Sequence, residues 1–277
     1  MKLQKIYNEK TFNMEKVFLN FNSEVFMYLN QRGTYLPGQN VQDCIYNHHE
    51  WSPAETKFFT EVLSRDNSEG VVIDVGSNSG YFTLIPLSFK RKTISIEPNE
   101  SFNPYIYNSV KDNNFLDNWK LINKFVTDRK GMVVFDGWSG RNINGNNAGY
   151  AESISISEVA VDEDIFLLKI DVEGCEDEVL KSCGDLLQKA KIKYLDIEIS
   201  VIFENELNYN TLNILELMNS YYDFYMPDPY LNFLRVENVI EYFEKWAKNY
   251  KMINICDYID FVGCEIYACR KDVIRLS

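Results

Sequence analysis

The stretch "VVIDVGSNSGYF", residues 71–82, decides how this chain is read. An apolar, β-branched run ends in an acid, Asp74, and two glycines four apart follow it, Gly76 and Gly80. The residues after them, "GYFTLIPLSFK", carry the apolar spacing of a helix, with Pro86 as a perturbation. Strand, glycine turn and helix in that order open a doubly wound α/β sheet. In such sheets ligands sit outside the carboxyl ends of the strands, and the first turn lets them approach the backbone. A carboxylate inside an apolar strand is costly without a partner, so Asp74 requires a cation or a local donor.

The same beat repeats downstream. "TISIEP" reads as the second strand, "NESFNPYIYNSVKDN" as a helix opening, "WKLINKFVT" as the third strand and "GMVVFDG" as a short extra strand. Residues 137–151 are rich in Gly and Asn and read as a long loop. "IFLLKIDVEG" is a buried strand ending in acids, "CEDEVLKSCGDLL" a helix, and "IKYLDIEIS" a further strand. A helix near 207–220, the aromatic segment "YYDFYMP", the amphipathic "VENVIEYFEKWAKNY" and a last strand in "YIDFVGCEIYACRK" follow, the last strand expected antiparallel at the sheet's end. The alternation predicts a doubly wound, mostly parallel sheet with helices on both faces. Upstream, "SPAETKFFTEVLSR" reads as a helix with Ser52 as cap, Pro53 at the first position and Glu55 completing a capping box. "NMEKVFLNFNSEVFMYLNQ" has partly helical spacing, which predicts an N-terminal helical extension over residues 1–50. No repeat or low-complexity linker divides the chain. The expectation is one domain over 1–277, with a core over 51–277 and a helical insertion near 230–255.

Composition bounds the function. The 277 residues are 45% hydrophobic and 25% charged, an ordinary globular balance, and 41 acids against 28 bases give a net charge of -13. Such a chain is repelled by phosphate backbones unless it carries a basic patch. The densest basic run, "FKRKT" at 89–93, ends a helix, so a nucleic-acid substrate is disfavoured. The six cysteines show no metal-ligand spacing. "MKLQKIYNEKTF" lacks a signal-peptide core, and no apolar run is long enough to span a bilayer. The expectation is a soluble protein without a membrane span, in a reducing, cytoplasmic setting.

The glycine turn is GxxxG, without the third glycine of the dinucleotide fingerprint and without a P-loop lysine. Glu97 ends the second strand about twenty residues past Gly76, where a carboxylate can accept both ribose hydroxyls. Dehydrogenases normally place an apolar residue where Asp74 stands. A ligand with a ribose, no phosphates, an ammonium and a sulfonium fits these residues better than NAD, and that ligand is S-adenosylmethionine. Asp74 would orient the loop or meet the methionyl ammonium directly or through water; the competing reading is an acid that caps its own turn. Gly76, Ser77, Asn78, Ser79 and Gly80 would line the methionyl part, with Tyr81, Phe82, Glu97, Pro98, Asn99 and Asp171 completing the expected donor-binding set.

"VVIDVGSNSGYFTL", "ISIEPN" and above all "LLKIDVEGCEDEVLKS" resemble the FkbM-type methyltransferases, a branch of the class I, Rossmann-like methyltransferases. The resemblance covers roughly residues 50–200; "KIDVEG" before an acidic helix start is its more specific part. It implies a seven-stranded sheet, S-adenosylmethionine as methyl donor, and O-methylation of sugars or natural products. Ser77 and Ser79 stand where the family commonly shows Ala and a β-branched residue, small changes that leave donor binding intact. The Asn-rich loop and the C-terminal helical segment match nothing in the pattern and are where acceptor choice is expected to reside.

Methyl transfer is an in-line displacement that needs an oxygen held on the sulfonium axis, and a hydroxyl needs a base or a metal to become a good nucleophile. Asp171 and Glu173 end the fourth main strand and Glu198 ends the next, so adjacent strands would bring three carboxylates to one pocket. They are candidates for a general base, for an oxygen-ligand site for a divalent metal, or for hydrogen-bond acceptors to a polyhydroxy substrate; Glu173 alternatively caps the next helix. His48 and His49 are the only histidines and the reserve candidates for a base. "PDPY" at 227–230 lies in the wrong place for the amino-methyltransferase motif and reads as a proline turn. Trp138, Tyr150 and Tyr230 are candidates for stacking on a sugar. The expectation is an O-methyltransferase acting on a sugar or glycan hydroxyl, with a small non-sugar metabolite or lipid, or a silent donor-binding partner protein, as alternatives.

Overall fold

The structure, a computed structural model, describes residues 14–30, 39–135, 149–161, 163–189, 191–200, 210–228, 230–250, 263–273 and 276. Its centre is an eight-stranded sheet in the order β12-β11-β13-β10-β9-β3-β4-β5. The strands are β3 (Val71–Val75), β4 (Thr93–Ile96), β5 (Trp119–Ile122), β9 (Ile165–Ile170), β10 (Ile192–Ser200), β11 (Tyr222–Pro227), β12 (Phe233–Val236) and β13 (Gly263–Arg270). β5, β4, β3, β9 and β10 run parallel, and β13 runs antiparallel to both β10 and β11. The chain winds from β3 outward to β5 and then returns to the other side of β3 through β9. The switch point therefore lies between β3 and β9, where such sheets hold their ligands.

The central sheet has eight strands where seven were expected: six match segments read as strands, and β11, read only as an aromatic segment, forms with β12 a hairpin at the sheet's edge. The last strand is antiparallel but does not lie at the end of the sheet. β13 sits between β10 and β11, because its residues are buried on both faces: Cys264, Ile266 and Ala268 join one core, Tyr267 and Cys269 the other. β3 shows the same division, with Val71, Ile73 and Val75 in the first core and Val72 in the second.

The N-terminal extension differs from expectation. β1 (Met14–Leu19) and β2 (Asn22–Asn30) form an antiparallel hairpin where helical spacing was expected. The governing period is two: Val17 and Leu19 are buried on one strand, Val25, Met27 and Leu29 on the other, while Phe18 is exposed. The hairpin's free edge is satisfied by the helix Asn103–Asp112: Phe26 N donates to Asn113 Oδ1 (3.2 Å) and Tyr28 N to Ser109 Oγ (2.8 Å). Helix α1 (Gln39–His48) follows, then α2 (Pro53–Arg65). A smaller sheet orders β6 (Phe125–Val126), β8 (Gly149–Ile154) and β7 (Met132–Phe135). Gly149 to Ala151, expected in the Asn-rich loop, are the start of β8; most of that loop lies outside the described residues. In the expected insertion near 230–255, β12 precedes the helix Val239–Tyr250. Among the described residues no helix is long and apolar enough to cross a membrane.

Candidate active site

The glycine turn closes over the carboxyl end of β3. Gly76 and Gly80 have φ of 80° and 94°, and Asn78 has φ of 49°, a region that side chains disfavour. Gly76 N and Ser77 N both donate to Ile96 O (2.9 and 3.3 Å), and Gly80 N to Ser77 O (2.8 Å). A Cβ on Gly76 would lie 1.8 Å from the carbonyl oxygen of Asp171. The turn is thus fitted against the start of the "DVEG" segment, and Asp171 N donates to Val75 O (3.1 Å).

Glu97 ties the turn to the second strand. Its Oε2 accepts from Asn78 N and its Oε1 from Asn99 N, both at 2.9 Å. Burial pushes its carboxyl up to about 7, with the two backbone donors and nearby Asp74 and Asp171 as the smaller influences. Asn99 also accepts from Ser101 N through its own side chain, and Pro98 beside it is half-buried. Ser79 N donates to Asn78 Oδ1 (2.7 Å).

Asp74 is fully buried and accepts from Thr83 Oγ1 (2.6 Å) through Oδ2, while Oδ1 has no partner. Thr83 in turn meets Ser95 Oγ (2.8 Å). The buried Ser77 Oγ is unpartnered as well. Two orphaned buried oxygens, a backbone cradle that admits no side chain and a two-pronged carboxylate at ribose distance along the chain fit an adenosyl-amino-acid ligand. Tyr81 and Phe82 are buried: Tyr81 OH meets Thr56 Oγ1 (3.1 Å), and Phe82 lies under the Lys169 ammonium, 4.9 Å from its ring centre.

Strand register assembles what the sequence reading missed. Asp74 on β3 pairs with Lys169 on β9, Lys169 with Asp196 on β10, and Asp196 with Tyr267 on β13. Ser95 on β4 extends the row on the other side of Asp74. Cross-strand partners share a face of the sheet, so a buried polar row crosses five strands beneath their carboxyl ends. One pleat above it, Glu198 pairs with Glu265. Helix α2 covers this face and adds Glu55.

Lys169 is the hub. It is buried, with Nζ 2.9 Å from Asp171 Oδ2 and 3.9 Å from Glu55 Oε1. Burial pulls its ammonium down, but Asp171, Glu55, Asp74 and Asp196 outweigh that and hold it well above the ordinary lysine range. Burial, then Glu265 and Asp196, raise Glu55; burial and Glu265 raise Asp196 against the pull of Lys169. Burial, then Asp171 and Glu173, raise Glu198, and burial, then Asp171 and Glu176, raise Glu173. With several carboxyls gathered on one ammonium, some must stay protonated near neutral pH.

Each acid differs in access. Asp171 is ion-paired, yet its side chain keeps 25% of its surface exposed. Glu173 is half-buried at φ 52° beside Gly174. It does not cap the next helix, Glu176–Ser182, whose N-cap Cys175 makes no side-chain cap bond; Glu176 Oε1 instead accepts from Gly174 N (2.8 Å) in the turn before it. Glu265 accepts from Ser52 Oγ (2.8 Å) and Tyr267 OH (2.5 Å). The expected capping box at Ser52 is therefore absent: Ser52 has φ 39° and makes no cap bond, and both Ser52 and Glu55 are turned inward to the acids of the sheet. Among the described residues no group of three His, Cys, Asp or Glu side chains is arranged to hold a metal ion. Lys169 already supplies the cation these carboxylates surround, so the donor set does not fit a divalent metal.

The reserve candidates lie elsewhere. His49 Nδ1 is 2.9 Å from Phe18 O and the His48 carbonyl accepts from Asn20 Nδ2 (2.7 Å), so the histidines join α1 to the hairpin. "PDPY" contributes to the β11–β12 turn, where Asp228 Oδ1 accepts from Tyr230 N and Asn232 N, both at 2.8 Å. Tyr150 and Tyr230 are exposed; Trp138 lies outside the described residues. A signal for the missed hub was present: Lys169, Asp196 and Glu265 each interrupt an apolar strand, as Asp74 does, but their register could not be read from one chain.

Similar solved structures include a precorrin-6y C5,15-methyltransferase from Geobacter metallireducens, 12% identical over 77% of this chain and 89% of the other (TM-score 0.40). An rRNA methylase from Streptococcus thermophilus is 12% identical over 80% of this chain and 98% of the other (TM-score 0.44). A SAM-dependent O-methyltransferase from Thermotoga maritima is 12% identical over 96% of this chain and 88% of the other (TM-score 0.44). No curated protein sequence matches the chain. The model of the methyltransferase FkbM domain matches residues 74–225, more than half of the chain, from the buried Asp74 through the Lys169–Asp171 segment into β11. The chain belongs to the FkbM methyltransferase family and uses S-adenosylmethionine as its methyl donor.

Proposed function

We propose that this methyltransferase acts on a hydroxyl of a sugar or glycan and that Asp171 is its general base. The observation that carries the reading is the position of Asp171. It is an ion-paired but partly exposed carboxylate, and its own peptide abuts the glycine turn. S-adenosylmethionine supplies an electrophilic methyl on a sulfonium, to be attacked in line by the acceptor oxygen. The turn from Gly76 to Gly80 and Glu97 hold the donor; Asp171 takes the hydroxyl proton while Lys169 keeps its carboxylate oriented.

A polyhydroxy acceptor suits the rest of the site. Glu173 and Glu198 lie near enough to Asp171 for its charge to help raise them and, with Glu265 across from Glu198, offer several carboxyl oxygens to hydroxyl donors. Where such a carboxyl keeps its proton it donates instead, so both hydrogen-bonding senses of a sugar hydroxyl can be met. The net charge of -13 disfavours a phosphate-rich acceptor and an anionic membrane surface, and the free thiols at Cys44, Cys175, Cys183, Cys264 and Cys269 suit a reducing, cytoplasmic setting.

The test is transfer of labelled methyl from S-adenosylmethionine to a panel of free sugars, glycosides and non-sugar alcohols. Methyl ethers on a sugar support the reading. Turnover confined to non-sugar alcohols, amines or nucleic acid would contradict it.

A further inference from the structure

We propose that Glu55 and Asp196 are specificity-determining residues of the donor site, whose adjacent carboxyls hold one proton between them in the free protein and release it when a positively charged donor binds. The inference rests on the donor reading above and adds to it a means of telling the sulfonium donor from its neutral thioether product.

The geometry begins with Asp196. It is 1% exposed, and neither carboxylate oxygen receives a donor from the protein. An ionised carboxylate in that state is among the costliest arrangements a core can hold. The side chain within hydrogen-bond reach is the Glu55 carboxyl, delivered from α2. Two carboxyls can bond to each other only by sharing a proton, and the shared proton removes one of the two buried charges.

Among the described residues the cation beside Asp196 is Lys169. Lys169 faces both groups from β9, but its Nζ is committed to Asp171 at 2.9 Å and stands 3.9 Å from Glu55. Asp171, from the turn after β9, acts on Asp196, and Glu198 on β10 acts on Glu55; both disfavour a second negative charge on the pair. Glu265 on β13 is the remaining acid, held by Ser52 and Tyr267. Burial and these neighbours push Glu55 and Asp196 both above the ordinary carboxylate range.

The cluster lies one pleat beneath the switch point, and Asp171 links it to the glycine turn through its peptide and its ion pair. A unit charge within about 10 Å, at the effective dielectric of a protein, changes a proton-binding constant by about tenfold. Asp196 stands two strands from Asp74, about 10 Å at the usual strand spacing, so a sulfonium bound over Asp74 at the glycine turn would bring such a charge. S-adenosylhomocysteine, identical except for a neutral sulfur, does not. Its ribose, adenine and amino-acid contacts are otherwise shared, so the difference between the two ligands isolates the charge. The released proton passes to solvent.

The experiment is isothermal titration calorimetry of the intact protein near neutral pH, in two buffers of different ionisation heat. S-adenosylmethionine and S-adenosylhomocysteine are the two probes. S-adenosylmethionine is expected to release a larger fraction of a proton than S-adenosylhomocysteine. The ratio of the two affinities should then rise with pH in favour of the donor, by at most about tenfold per pH unit for one full proton. Glu55→Gln and Asp196→Asn should each abolish the difference; if one does not fold, the other gives the same reading. Equal proton release for both ligands in the wild type overturns the proposal, with the donor reading intact. A difference that survives in the folded variants also overturns it. Failure of both ligands to bind the wild type would instead contradict the donor reading.

Discussion

Gly76 and Asp171 lie so close that no side chain fits between them: a Cβ at position 76 would stand 1.8 Å from the Asp171 carbonyl oxygen. This contact joins the two segments from which the site is built, the first turn of the sheet and the segment after β9. Gly80 is less confined; its added Cβ would meet only the Ile106 side chain, at 3.2 Å or more.

Gly76→Ala is accordingly expected to cost more stability than Gly80→Ala. Both force a side chain into a left-handed backbone, a cost of about 1 kcal/mol or more, and the first adds a backbone clash that must move the turn or Asp171. Urea unfolding of the two variants checks the order. Equal losses would mean that the contact between the two segments yields easily.

Glu97 gives a pH dependence of known sign. Its folded carboxyl is raised to about 7 from an ordinary 4.5, because burial favours the neutral form. The native state then holds more protons than the unfolded chain between these values. The stabilisation from Glu97 is full below the lower value and is lost as pH rises through the upper one, by at most roughly 3 kcal/mol. Urea midpoints measured across this interval should fall less steeply in Glu97→Gln than in the wild type. Parallel profiles would remove Glu97 as the source.

The parallel sheet was legible from short apolar runs alternating with helices, and the tight first turn from Asp74, Gly76 and Gly80. What escaped was set by contacts distant in sequence. The segment 14–30 carries enough aromatics to imitate helical spacing, and only its packing on Ser109 and Asn113 fixes it as a hairpin. "SPAE" has the letters of a capping box. The pull of Glu265 on Ser52, and of the Lys169 cluster on Glu55, outweighs the local cap. Lys169, Asp196 and Glu265 each looked like a lone polar residue in a strand, and only strand register makes them neighbours of Asp74 and Glu198.

Ser52 therefore serves Glu265. A double-mutant cycle of Ser52→Ala with Glu265→Gln should show a coupling of about 1 kcal/mol, the usual worth of one hydrogen bond or somewhat more for a charged acceptor. A cycle with no coupling would return Ser52 to a purely local role.

Asp171→Asn keeps the shape of the side chain and removes its ability to take a proton. Turnover is expected to fall about a hundredfold with little change in donor affinity. Because Lys169 occupies the centre of the carboxylates, chelators should leave wild-type activity unchanged. Activity lost to chelator and restored by Mg²⁺ or Mn²⁺ would show that the acids bind metal after all, and a fully active Asp171→Asn protein would remove Asp171 as the base.

The central claim, that the turn at Gly76–Gly80 with Glu97 holds S-adenosylmethionine, is tested most directly by thermal unfolding with either S-adenosylmethionine or NAD present. At about a hundred times its dissociation constant, S-adenosylmethionine should stabilise the fold by about 2.7 kcal/mol and raise the Tm accordingly, with a clearly smaller effect in Glu97→Ala and little effect of NAD on either protein. A Tm raised by NAD and unmoved by S-adenosylmethionine would contradict the account.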